Sequence, residues 1–207
     1  MSKPINVLIA DDHTVLRMGL IALIETEKDM VVVGQAKNGE QAITETLRLR
    51  PDIIIMDLMM PVKDGVAATA EIKKLLPESK IIVLTTFGTA DGISHALANG
   101  ATSAVLKSAD DTEILDAIRK TANGERYLSH DIQCQLEQNP PIEKLTKRQE
   151  EILHSITLGL TNSDISKQLG IRQDGVSVHI NAIFRKLGAA NRAEAVAIAL
   201  RKHLLKI

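Results

Sequence analysis

The chain of 207 residues suffices for one large domain or two modest ones, and its 44% apolar content contains no run near the roughly 18 residues of a membrane span. The opening MSKPINVLIADDH turns acidic after a short apolar run, which argues against a secretory signal and for a cytoplasmic protein. The single cysteine, Cys134, excludes an internal disulfide and any cysteine-based metal spacing. The net charge of −1 hides an asymmetry, since residues 1–124 hold 13 Lys/Arg against 17 Asp/Glu and residues 144–207 hold 11 against 5. An acidic part and a basic part imply separate tasks, with a polyanion as candidate partner of the second.

In chain order, short Val/Ile/Leu runs predict strands over 6–10, 31–35, 52–56, 80–84 and 103–106, alternating with stretches of helical period. Ala42, Ile43, Thr46 and Leu47 share a face of 39–50, and Ile114, Leu115 and Ile118 share a face of 110–123. Five repeats of strand and helix give an α/β fold, a doubly wound parallel sheet with helices on both faces. Residues 124–143 lose both periods and contain Pro140-Pro141, so 125–142 read as a linker between domains at 1–124 and 143–207. Beyond it every apolar run has helical spacing. Four helices follow near 146–159, 161–169, 173–187 and 191–205, with Gly159, Gly170 and Gly188 close to their ends. The second domain is therefore small and all-α.

Four of the strands end in charged or hydroxyl residues: Asp11 and Asp12 after VLIA, Asp57 after DIIIM, Thr85 after KIIVL, and Lys107 after SAVL. The carboxyl ends of parallel strands are where an open sheet builds its site. Three carboxylates this close repel one another unless a cation sits among them, and all-oxygen ligation selects a hard ion such as Mg²⁺. Lys107 adds a compact positive charge for phosphate oxygens, and Thr85 a hydroxyl that can follow them. Singly, each has a plainer explanation: a helix cap at Asp11 or Asp12, a loop acid, a strand end, a solvated lysine. At successive strand ends they read together as a pocket that holds a phosphoryl group on a carboxylate.

The segments VLIADDH, DIIIMDLMMPVKDG, VLTTF and AVLKSA resemble the motifs of response-regulator receiver domains over residues 4–123. The resemblance implies a five-stranded flavodoxin-like fold in which Asp57 accepts a phosphoryl group from a sensor histidine kinase. It further implies Mg²⁺ held by Asp12, Asp57 and the backbone carbonyl of Met59, with Asp11 acting through water. Lys107 would pair with the phosphoryl oxygens, and Thr85 would move toward them. His13 reads as the start of the first helix. One departure stands out. Receivers usually place Tyr or Phe three residues before the lysine, and this chain has Ala104 there. Phe87, two residues after Thr85, reads as a packing residue at the top of the fourth helix, with substitution for the missing ring as the alternative.

The stretch LTNSDISKQLG-IRQ-DGVSVHINAIFRKLG has the form of a helix-turn-helix with its turn at 170–172. Val176, Ile180, Ile183 and Leu187 recur on the core side of the second helix. Asp174, Ser177, Val178, Asn181 and Arg185 stand opposite, on the face that would enter a major groove, where Asn181 suits adenine and Arg185 suits guanine or phosphate. LTKRQEEIL, GLTNSDISKQLGI, VSVHINAIFRKLG and ANRAEAV resemble the LuxR-type domain of NarL/FixJ response regulators over 143–207. Ser177 and Asn181 are neutral where that family is commonly basic, Arg172 replaces the usual hydroxyl cap, and Gly175 weakens the helix. DNA binding weaker than, or different in specificity from, the family norm follows, with Arg172, Arg185, Lys186 and Arg192 on the phosphates. His179 reads as packed or phosphate-adjacent. The small residues of 191–205, such as Ala193 and Ala197, serve either the core or a pairing surface.

The order of the two modules implies a transcription factor, a switch and not a metabolic enzyme, whose phosphorylation promotes homodimerisation and promoter binding. Two rivals remain. A phosphatase using Asp57 as transient nucleophile needs a general acid where Met59 stands. A regulator controlled by a protein partner or by constitutive dimerisation, without phosphorylation, is motivated by Ala104 and the altered reading helix.

Overall fold

Runs of Val, Ile and Leu make strands β1 (Ile5–Ala10), β2 (Met30–Ala36), β3 (Ile53–Asp57), β4 (Lys80–Thr85) and β5 (Ser103–Leu106). They pair in parallel in the order β2-β1-β3-β4-β5. The computed structural model describes residues 3–86, 90–138, 145–201 and 204, which divide into two units, Met1–Pro141 and Ile142–Ile207.

Alternate side chains of each strand face opposite layers. Leu8, Ile54, Val83 and Ala104 pack with α2 (Gly39–Leu49), α3 (Gly65–Leu75) and α4 (Ala90–Ala98). Val7, Ile55, Ile82 and Val105 pack with α1 (Thr14–Glu25) and α5 (Asp111–Ala122). Every residue of β3 and β5 is buried, as strands covered on both faces must be. Asn38, Asp64 and Asp110 cap α2, α3 and α5 by accepting the amides of Gln41, Ala67 and Glu113. The strand order reverses between β1 and β3, so the carboxyl ends of β1, β3, β4 and β5 line one crevice.

The segment expected to be linker is structured over much of its length. Tyr127, Leu128 and Ser129 run beside β5, with a parallel bridge between Ala104 and Leu128. The helix α6 (His130–Gln138) then packs on α4 and β5, with Ile132 fully buried. Leu128, Ile132 and Leu136 form a single apolar line within polar surroundings, too narrow to register as a period. Burial, reinforced by the Glu113 carboxylate that accepts its hydroxyl at 2.9 Å, pushes the Tyr127 phenol up to about 12. Pro140 and Pro141 lie outside the described residues.

The second unit holds α7 (Lys147–Thr157), α8 (Asn162–Leu169), α9 (Gln173–Leu187) and α10 (Arg192–Arg201). Thr146 with Gln149 and Thr161 with Asp164 form capping boxes for α7 and α8. Gly170 and Gly188 end α8 and α9 in the left-handed region, at φ 62° and 68°. Ile152, Leu153, Ile165, Val176, Ile183 and Ala195 form its core. Among the described residues no helix is long and apolar enough to cross a membrane.

Candidate functional site

Asp11 and Asp12 follow β1, Asp57 ends β3, Thr85 ends β4 and Lys107 follows β5, so the fold brings all five to one edge. The Lys107 ammonium lies 2.8 Å from Asp11 Oδ2 and 2.8 Å from Asp57 Oδ2. Both carboxylates are only 2% exposed, while Asp12 is partly open to solvent. Asp11 Oδ1 accepts the His13 amide at 2.7 Å, and Asp57 Oδ1 accepts the Met59 amide at 3.2 Å. The Lys107 amide donates to the Thr85 carbonyl at 2.7 Å, which fixes the lysine against the end of β4. Thr85 is fully buried.

Two local features shape this edge. A side chain at Gly65 would place its Cβ 2.0 Å from the Asp57 carbonyl oxygen, so the start of α3 can pass beneath the acid only as glycine. Arg17, buried on α1, donates from Nη1 to the Asp11 carbonyl at 2.7 Å and from Nε to Gln35 Oε1 at 3.1 Å. It holds the β1 turn from behind. The role of Arg17 was not legible in the sequence, where it is one arginine on an amphipathic helix.

Burial pushes the Asp57 carboxyl above its ordinary pKa, and the opposing pull of Lys107 and the Met59 amide is smaller. Burial also works against the Lys107 ammonium, but its hydrogen bonds and charge contacts with Asp11 and Asp57 outweigh this and raise its pKa. Lys107 is therefore a fixed cation at neutral pH.

The donor set suits a hard cation. One ligand atom from each of Asp11, Asp12, His13 and Asp57 falls within 4.8 Å of all the others. Apart from the ion pairs to Lys107 and His13, the buried atoms Asp11 Oδ2, Asp12 Oδ1 and Asp57 Oδ2 receive no hydrogen bond. His13 stands at the start of α1, as expected, in the N-cap position without a side-chain cap hydrogen bond, and its Nδ1 lies 2.8 Å from Asp12 Oδ1. Its place directly after the acid pair was the available signal. Met59 sits on the rim with its side chain exposed. Phe87 lies outside the described residues, and Ala104 is fully buried.

On α9, Val176, Ile180, Ile183 and Leu187 are buried, and Asp174, Ser177, Val178, Asn181 and Arg185 are exposed, as the spacing predicts. Val178 is a large apolar side chain left 67% exposed. Ser177 Oγ donates to the Gln173 carbonyl at 3.1 Å, and Arg172 meets Asp174 at 3.2 Å in open solvent. His179 and Lys186 are half-buried. Arg192, expected on the phosphates, is half-buried, and its guanidinium donates to the Leu160 carbonyl and, at 3.4 Å, to Asn162 Oδ1, which ties α10 to the start of α8.

Residues 7–119 match the response regulator receiver domain, and residues 143–199 match the luxR family of bacterial regulatory proteins. The chain is 39% identical to the transcriptional regulatory protein LiaR of Bacillus subtilis, over 97% of this chain and 99% of LiaR. It is 37% identical to the response regulator VraR of Staphylococcus epidermidis, over 98% and 99%. Among solved structures, RcsB of Salmonella enterica serovar Typhimurium, bound to a promoter in the presence of phosphomimetic beryllofluoride, aligns with a TM-score of 0.71. That alignment has 25% identity and spans 96% of this chain and 99% of RcsB.

Proposed function

The chain belongs to the NarL/LuxR response regulators, transcription regulators that join a receiver to a LuxR-type DNA-binding domain, and we propose that Asp57 is its phosphoryl acceptor. The observation that carries this is the single Lys107 ammonium shared at 2.8 Å by two buried carboxylates at neighbouring strand ends. Burial of this kind is costly, and such acids concentrate where chemistry requires them.

A sensor histidine kinase is the donor. An Asp57 carboxylate oxygen attacks the phosphorus, a P–O bond forms, and the P–N bond to the donor imidazole breaks. Lys107 then faces the new oxygens, exchanging part of its contact with the carboxylate for contact with phosphoryl. Asp12, Asp57 and the Met59 carbonyl would hold Mg²⁺ directly, with Asp11 acting through water and His13 beside them, and the ion would supply charge neutralisation on the transferring group. The phosphoryl group adds about 1.5 to 2 negative charges beside Thr85, enough to bias a two-state strand end. The outcome is a homodimer whose α9 helices enter the major groove of promoter DNA. Arg172, Arg185 and Lys186 serve the phosphates; Ser177, Val178 and Asn181 serve base edges. The protein acts as a switch and not as a turnover catalyst.

The test is to supply a small phosphodonor with Mg²⁺ and map the modified residue by mass spectrometry. One phosphoryl group on Asp57, absent from Asp57→Asn, is expected; a modification elsewhere, or none, refutes the assignment. Ala104 favours one second reading, control by a partner protein without phosphorylation. Under it Asp57→Asn would leave dimerisation and promoter binding unchanged.

A further inference from the structure

β5 is an edge strand, and its open side is covered by the chain's own continuation. The Tyr127 amide donates to Ser103 Oγ at 3.0 Å, the Ala104 amide to the Tyr127 carbonyl at 2.9 Å, and the Ser129 amide to the Ala104 carbonyl at 3.1 Å. From this short ladder the side chains part to the two faces of the sheet. The Tyr127 hydroxyl reaches Glu113 on α5, and the Lys120 ammonium stands 4.8 Å over its ring. On the opposite face Leu128, Ile132 and Leu136 join Ile93 and Ala96 of α4 and Ala104 of β5 in one cluster. Ile93, Ala96, Ala104 and Ile132 have no exposed surface at all.

Ala104 is thus the point at which the bridge strand, α6 and α4 converge, three residues before Lys107. We propose that the segment Tyr127–Gln138 is the relay that carries the signal out of the receiver. Loading of Asp57 shifts α4 through the Thr85 end of β4, and α6, seated on α4 and β5, is released. The proposal rests on Asp57 as phosphoryl acceptor.

Three physical arguments support a two-state relay. A helix of nine residues is too short to persist alone in water, so α6 is folded when docked and unfolded when released. Its seat consists of a few apolar side chains and a short ladder, which places it at the low end of local stability. A buried, close-packed contact with α4 switches between discrete arrangements and does not deform gradually. The alanine then has a positive role. An aromatic ring at 104 would claim the volume that α6 and its bridge occupy. Release also lengthens the tether to the second unit, because nine residues span about 14 Å as helix and about 30 Å extended.

Amide hydrogen exchange of the full chain, with and without Mg²⁺ and beryllofluoride, tests the relay. The amides of Ala104, Ser129 and α6 are expected to exchange at least about tenfold faster on loading, a change readily resolved as local opening. Added protection around Asp57 reports that the mimic has bound. Bound mimic with unchanged or slower exchange in α6 overturns the relay and leaves the phosphoryl assignment standing. No protection around Asp57 removes that assignment, and the relay with it. Ala104→Tyr is expected to eject α6 with no mimic present; a folded variant with wild-type protection of α6 overturns the proposal. Should that variant not fold, Ile132→Ala, which thins the seat without adding volume, carries the same expectation.

Discussion

At the sheet edge, two carboxylates that are 2% exposed share one ammonium at 2.8 Å each. At the start of α9, Arg172 and Asp174 meet at 3.2 Å with more than four-fifths of both side chains in water. The exposed pair contributes little to stability, because solvent screens it and long side chains lose entropy in forming it. The buried set is costly to assemble, because each charge gives up its hydration to enter it. The pocket is therefore fixed by the strands that carry it, whereas the reading face is free to drift in charge without loss of the fold.

The largest expected effect breaks the buried side of this contrast. Asp57→Asn should abolish phosphoryl transfer and yet stabilise the receiver, by on the order of 1 kcal/mol, since it removes a buried charge while Lys107 keeps Asp11 as partner. The pH dependence has a definite sign. A carboxyl whose pKa is raised by burial binds its proton more tightly folded than unfolded. Its contribution is full below the ordinary carboxylate pKa and is lost as pH rises through the raised folded value. The advantage of Asp57→Asn over wild type in thermal melts without Mg²⁺ should therefore grow from acid toward neutral pH. A variant less stable than wild type at pH 7 would contradict the burial argument.

Two arginines of the DNA-binding unit sharpen the contrast from the other side. Arg185 is exposed on the reading face, so Arg185→Ala should flatten the dependence of log affinity on log salt by about one and leave the melting temperature alone. Arg192 holds the Leu160 carbonyl, so Arg192→Ala should cost about 1–3 kcal/mol of stability and leave the salt slope alone. The reverse pattern would exchange their roles. Ser177→Lys, which restores a positive charge to the exposed face, should steepen the slope by about one. A wild-type slope already steeper than about −8 would contradict the weak-contact reading of α9.

Much of this was legible in the residues. Continuous apolar strands announced the sheet, and their terminal Asp, Thr and Lys announced the pocket, because parallel strands deliver their carboxyl ends to one edge. The helix-turn-helix boundaries were legible from Gly170 and Gly188, whose left-handed caps stop α8 and α9. What escaped was set by tertiary contact alone. The apolar line of α6 is one residue wide and acquires meaning only beside Ala104 and α4. Arg17 carries no signal in the sequence and Arg192 reads as a phosphate contact, until the fold turns them onto carbonyl oxygens of Asp11 and Leu160.

The smallest expected effect isolates the fold of α9 from its chemistry. Gly175 lies in the first turn of α9 with a negative φ, and a Cβ built on it meets nothing within 4 Å. Alanine there costs no contact and restricts the unfolded chain, so Gly175→Ala should stabilise the DNA-binding unit by about 0.5–1 kcal/mol. It adds no charge and no hydrogen-bonding group, so the salt slope should not change. If affinity nevertheless rises by more than the roughly fivefold that 1 kcal/mol allows, the first turn of α9 must order on the DNA itself. The neutral reading face would then be coupled to a folding step, and drift in its charge would no longer be independent of the helix that carries it.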